Sequence, residues 1–114
     1  MLSAFGANIT VSSTEKGNSI SIVGYPEFTP QNIVVPGDPS SAAFFTALTL
    51  LNKNSSLKIK NVGINPTRIG FYELLKKSGA KIRFTNRKRK NNELIGDIFV
   101  KSEKIKPIKA SREY

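Results

Sequence analysis

The chain has 114 residues, 39% apolar and 23% charged, which is the balance of a single globular domain able to bury about two-thirds of its surface. It contains no Cys and no His, so disulfides, thiolate metal sites, cysteine nucleophiles and a Ser-His-Asp triad are excluded within these residues. No apolar run approaches the ~18 residues of a membrane span, and Met1 to Gly6 carry neither a basic n-region nor a long h-region, so the sequence reads as a soluble, cytoplasmic chain without a membrane partner. The 18 basic residues outnumber the 8 acidic ones, and only Lys16 of the 18 precedes residue 53, whereas Glu15, Glu27 and Asp38 all do. A basic second half favours anionic partners such as nucleic acid or phosphorylated metabolites, and a solvated surface gives the same pattern.

In chain order, Met1-Leu2-Ser3-Ala4-Phe5-Gly6-Ala7 reads as the last turn of a helix with Gly6 at the left-handed stop. Ile9-Thr10-Val11 alternates as a strand, Thr14 to Asn18 is turn chemistry, and Ile20 to Val23 alternates again, which makes a hairpin. Asn32-Ile33-Val34-Val35 is expected to be a short apolar strand. Asp38-Pro39 then supplies an N-cap and a first-position proline for a helix to Leu51, whose apolar residues on nearly every side predict burial on most sides.

Ser55 to Val62 is expected as a strand with Leu57, Ile59 and Asn61 on one side and Lys58, Lys60 and Val62 on the other. Asn65-Pro66 repeats the cap-plus-proline signal and predicts an amphipathic helix from Pro66 to Ser78, with Arg68 in its first turn. Lys81 to Phe84 begins a strand, Asn86 to Glu93 reads as a polar loop, and Ile95 to Val100 returns. Leu2, Gly6, Ala7 and Ile9 correspond to Leu75, Gly79, Ala80 and Ile82, so the same helix-stop-strand pattern occurs twice. The fold class is therefore α+β, a β-α-β-α-β-β unit preceded by the α-β-β tail of an earlier copy.

Three blocks then acquire a joint meaning: Val35-Pro36-Gly37-Asp38-Pro39-Ser40-Ser41-Ala42-Ala43-Phe44-Phe45, Ile59 through Gly70 with Asn65-Pro66-Thr67-Arg68 at its heart, and Lys77-Ser78-Gly79-Ala80-Lys81-Ile82. In this order and spacing they resemble the central stretch of the 5-enolpyruvylshikimate-3-phosphate synthase family (3-phosphoshikimate 1-carboxyvinyltransferases). The resemblance covers nearly all of the chain but about a quarter of the family's two-domain length. It implies six βαβαββ units, three per domain, and a crossing between domains near Val35-Pro36-Gly37. Residues 1–35 would then end one domain and residues 36–114 begin the other.

The resemblance further implies transfer of the enolpyruvyl group of phosphoenolpyruvate to the 5-hydroxyl of shikimate 3-phosphate, a step toward chorismate and the aromatic amino acids, with no metal or organic cofactor. Its Ser-Ser-Gln cluster would lie before Met1, and its proton-accepting Asp and basic clamps beyond Tyr114. No catalytic residue is therefore assigned, the rest of the enzyme chain is an expected partner, and the isolated 114 residues are expected to be inactive.

Asp38, Ser40, Ser41 and Arg68 are the candidates for the substrate cleft. Bare amides and partial positive charge at a helix start favour phosphate. The same Asp and serines also suit a plain helix cap, and Arg68 a solvated surface. The run Arg87-Lys88-Arg89-Lys90 lies in the expected hairpin loop without interleaved aromatics, so nucleic acid is not an expected partner, and Lys101, Lys104, Lys106 and Lys109 fit an exposed strand and turn. Two other readings stay open at this point: the sister transferase acting on UDP-N-acetylglucosamine, and a small basic nucleic-acid-binding module.

Overall fold

The computed structural model describes residues 2–112 and divides the chain into two compact units, residues 1–34 with 90–92, and residues 35–89 with 93–114. In the first unit a short 3-10 turn, Leu2–Phe5, stands where a helix tail was expected. Gly6 follows it at φ +100°, and a Cβ there would sit 2.8 Å from the Glu27 carbonyl oxygen, so the stop requires glycine on both conformational and steric grounds. Strands β1 (Ile9–Thr14) and β2 (Gly17–Ile22) pair antiparallel from Ile9 opposite Ile22 to Thr14 opposite Gly17, closed by the two residues Glu15-Lys16. Val11, Ile20 and Ile22 are exposed, and no third strand joins this ribbon among the described residues.

The second unit is mixed α and β. Helix α1 is Pro39–Leu51, β3 is Ser56–Gly63, α2 is Gly70–Lys77, β4 is Lys81–Lys90 and β5 is Glu93–Lys101. The sheet order is β3-β5-β4, which puts the last strand in the centre. Val62, Ile64, Tyr72, Leu75, Ala80, Ile82, Ile98 and Val100 form the core with Ala42 of α1. Tyr72 is its largest member; its hydroxyl donates to the Pro39 carbonyl, and its ring meets Phe71 and Phe84 edge-on at centroid distances of 5.6 and 5.9 Å.

Four local expectations are corrected here. The apolar run Asn32–Val35 is not a strand: pairing is confined to a parallel bridge between Gly37 and Val62, because Pro36 has no N–H to give a ladder and Val35 remains exposed. Helix α1 is not buried on most sides. Ala42, Thr46 and Thr49 face the unit's interior, while Phe44, Phe45, Leu48 and Leu51 are exposed, since one sheet covers only one side of a helix.

In β3 the alternation breaks at a bulge between Ile59 and Val62, where Asn61 takes φ +55°; Val62 thereby moves to the core side and is 1% exposed. The residues 86–93 are not a loop. Strand β4 runs through Arg87-Lys88-Arg89-Lys90, and a two-residue turn, Asn91-Asn92 at φ 52° and 62°, joins it to β5. Asparagine tolerates this left-handed geometry, and two such residues form the tightest hairpin connection.

Candidate functional site

Asp38 begins the site. Its backbone is extended, φ −78° and ψ 121°, and its side chain accepts from the amides of Ser40 at 3.1 Å and Ser41 at 3.3 Å, satisfying two of the N–H groups that a helix start leaves open. The Ser41 hydroxyl donates a further bond at 3.0 Å. Capping amides and hydroxyl together hold the Asp38 carboxyl below its ordinary range, the Ser40 amide most of all, and Arg68 adds to this.

Arg68 comes from elsewhere than expected. The Asn65 side chain accepts from the Thr67 amide at 3.0 Å and the Thr67 hydroxyl at 2.8 Å, and its carbonyl accepts from the Arg68 amide, so Pro66–Arg68 are a closed turn and α2 starts only at Gly70. Arg68 is thus not in the first turn of a helix. Free of helical direction, it reaches across to α1, where its Nη2 donates to Asp38 Oδ1 at 2.8 Å and to Ser40 Oγ at 3.4 Å. All four candidates, Asp38, Ser40, Ser41 and Arg68, therefore meet at the amino end of α1. Both charged groups are about half exposed, so the pair is a mild stabiliser with donors still facing solvent.

A second polar centre was not singled out in the sequence. Asp97, in the middle of β5, is 5% exposed. Its Oδ1 accepts from the Asn61 amide at 3.0 Å and its Oδ2 from the Asn86 side-chain amide at 2.7 Å, with the Lys58 ammonium 3.7 Å away. The Asn86 bond foremost, then the Asn61 amide, hold its carboxyl below the ordinary range despite desolvation, with Lys58 and Lys60 contributing. Lys60, Arg87 and Lys88 line an open pocket of about 540 Å³ with these groups. Alternation places Asp97 on the face opposite Ile98 and Val100, and its burial comes from neighbouring strands that supply a backbone amide at Asn61 and a side-chain amide at Asn86. Among the described residues no group of three or more His, Cys or carboxylate side chains is placed to hold a metal ion.

The comparisons with known proteins concern the chain as a whole. The family model for EPSP synthase (3-phosphoshikimate 1-carboxyvinyltransferase) matches residues 1–110. The chain belongs to the EPSP synthase family. A 3-phosphoshikimate 1-carboxyvinyltransferase of Zymomonas mobilis is 44% identical over 108 residues, covering 95% of this chain and 24% of the relative. One from Petrotoga mobilis is 45% identical over 114 residues, covering 99% and 26%. Two solved structures of EPSP synthase from Acinetobacter baumannii superpose on it. One has a TM-score of 0.82 at 40% identity, covering 94% of this chain and 24% of that one; the other has 0.86 at 38%, covering 98% and 24%. This chain thus spans about a quarter of the length of the EPSP synthases it matches. The sister transferase and the nucleic-acid module are not favoured.

Proposed function

We propose that these residues act as part of a 3-phosphoshikimate 1-carboxyvinyltransferase, which joins the enolpyruvyl group of phosphoenolpyruvate to the 5-hydroxyl of shikimate 3-phosphate with release of phosphate, in the cytoplasm. The observation that carries the reading is the family match over residues 1–110, with the superposition on solved EPSP synthases along nearly the whole chain. Both substrates are phosphorylated carboxylates, and the Asp38–Arg68 cluster offers them what such anions need: a guanidinium with unused donors, two serine hydroxyls and the positive end of a helix. In this reading residues 1–35 complete one domain, residues 36–114 open the other with a βαβαββ unit, and the cluster at α1 faces the substrate cleft. The repeated Gly6 and Gly79 stops and the division of the chain into two units near residue 35 support it.

The test grafts these 114 residues in place of the matching quarter of the Acinetobacter baumannii enzyme. Phosphate release that depends on both substrates is expected from the graft. A folded graft without turnover would contradict the reading. In the same graft Arg68→Ala is expected to raise KM for shikimate 3-phosphate or phosphoenolpyruvate by about tenfold, the usual weight of one charge-assisted hydrogen bond, whereas unchanged constants would remove Arg68 from the cleft. The isolated chain is expected to show no transferase activity.

A further inference from the structure

The bulge in β3 ties the two polar centres together. Ile59 lies opposite Ile98 and Val62 opposite Gly96, so Lys60 and Asn61 share the single partner Asp97. An extra residue in one strand leaves a backbone amide without its ladder acceptor, and here the Asp97 carboxylate takes that place, accepting from Asn61 N at 3.0 Å. Asn61 at φ +55° then turns its own carbonyl away from β5, where it accepts from Gly37 N at 2.7 Å; the Gly37 carbonyl in turn accepts from Gly63 N at 2.9 Å.

Gly37 packs against this bulge, where an added Cβ would stand 3.4 Å from the Asn61 carbonyl oxygen, at ordinary contact distance. The next residue is Asp38. A continuous path of short bonds therefore runs from the Asp97 carboxylate through the Asn61 backbone, from its N–H across the Cα to its carbonyl, to Gly37 and the cap of α1. On the other side of Asp97, Asn86 at φ +50° donates from its side chain, so the carboxylate is fixed from both neighbouring strands.

We propose that Asp97 is a positioning residue for the Asp38–Arg68 cluster, acting through the left-handed Asn61 bulge and Gly37 without itself meeting any ligand. The functional meaning of this linkage rests on the cluster being part of the substrate cleft; the linkage itself does not. Charged groups around Asp97 are Lys58 and Lys60 on β3 and Arg87 and Lys88 on β4, all cationic, so the carboxylate stays ionised and the clamp stays closed through neutral pH.

The experiment follows the Asp38 carboxyl by carbon NMR titration and the Gly37 amide by hydrogen exchange, in the 114-residue chain without substrate. In the parent chain Asp38 is expected to titrate below the usual carboxylate range, held there by the Ser40 amide first and the Ser41 hydroxyl next. Asp97→Ala and, independently, Asn61→Val, whose branched side chain resists the left-handed region, are expected to return Asp38 toward its ordinary value and to speed Gly37 exchange by about tenfold or more. Asn61→Gly keeps the backbone path and is expected to leave both readouts as in the parent. Asp97→Asn retains an acceptor for the Asn61 amide and is expected to restore the Asp38 titration in part.

Ile98→Val loosens the same sheet without touching the path and is expected to leave the Asp38 titration in place. Parent-like titration in Asn61→Val, or an equal shift in Ile98→Val, would overturn the proposal; if Asp97→Ala does not fold, the Asn61 pair decides. Because no substrate enters, a failed transferase assay and a failed linkage remain distinguishable.

Discussion

The residues around Gly6 and those around Gly79 are built on the same local pattern and have different fates. Both glycines stop a helical turn in the left-handed region, at φ +100° and +98°, and each is followed by a hairpin closed by two residues. In the first hairpin Val11, Ile20 and Ile22 face outward; in the second, Ile82, Ile98 and Val100 are buried in one core with residues of α1 and α2. Equal backbone instructions thus give a bare ribbon in one place and the centre of a core in the other. A two-stranded ribbon is marginal alone, and stability comes from the layer that covers it.

The largest contrast is expected in amide exchange: the amides of β5 should exchange on the order of a thousandfold more slowly than those of β1 and β2, and uniform protection would erase the distinction. Truncation sharpens it. Ile98→Ala is expected to cost about 3 kcal/mol in chemical denaturation, whereas Ile20→Ala should stay within about 0.5 kcal/mol.

Acid should also act on the second region first. Asp97 has a folded pKa below its unfolded value, so its contribution is fully present above the unfolded value near ~3.9 and is lost as pH falls through the lower folded one. Melting temperatures of the parent chain should therefore drop more steeply than those of Asp97→Asn in that acid window, and parallel curves would contradict the assignment.

Smaller effects separate the two glycines. Gly79→Ala is expected to cost about 1 kcal/mol from its positive φ alone, because the nearest atom to a new Cβ is 3.9 Å away. Gly6→Ala adds a clash with the Glu27 carbonyl at 2.8 Å and should shift the amide resonances around Glu27 and Thr29, which Gly79→Ala leaves unmoved. Least of all, Asn92→Gly in the second hairpin is expected to stabilise by less than about 0.5 kcal/mol, read from the denaturation midpoint.

Much of the local grammar was legible. Asp38-Pro39 announced α1 to the residue, and Gly6 and Gly79 announced their stops, since caps and left-handed positions depend on few neighbours. Expectation and structure part where a competing turn, a sheet partner or a bulge intervenes. Asn65-Pro66 looked like another helix start, but the Asx turn closed first and Arg68 was released toward Asp38. Arg87 to Lys90 looked like a loop because charge was read as solvent, whereas the sheet extends through them with their side chains outside. Val62 lies on the opposite side from its place in the alternation, because a bulge leaves no mark in that pattern.

For the site, residue types at α1 were readable and their meeting was not. Asp38, Ser40 and Ser41 are neighbours in sequence, but the bond from Arg68 to Asp38 spans 30 positions and that from the Asn61 amide to Asp97 spans 36. By itself the sequence determined the element types, the glycine stops, the cap of α1 and, through three blocks in order, membership in the EPSP synthase family. Only the tertiary structure decided that β5 lies in the centre of the sheet, that Asp97 fills the gap left by the Asn61 bulge, and that this bulge holds the residue before Asp38. The physical reason is that caps and turns are closed by bonds over a few residues, whereas an orphaned strand amide takes whichever acceptor the folded sheet brings beside it.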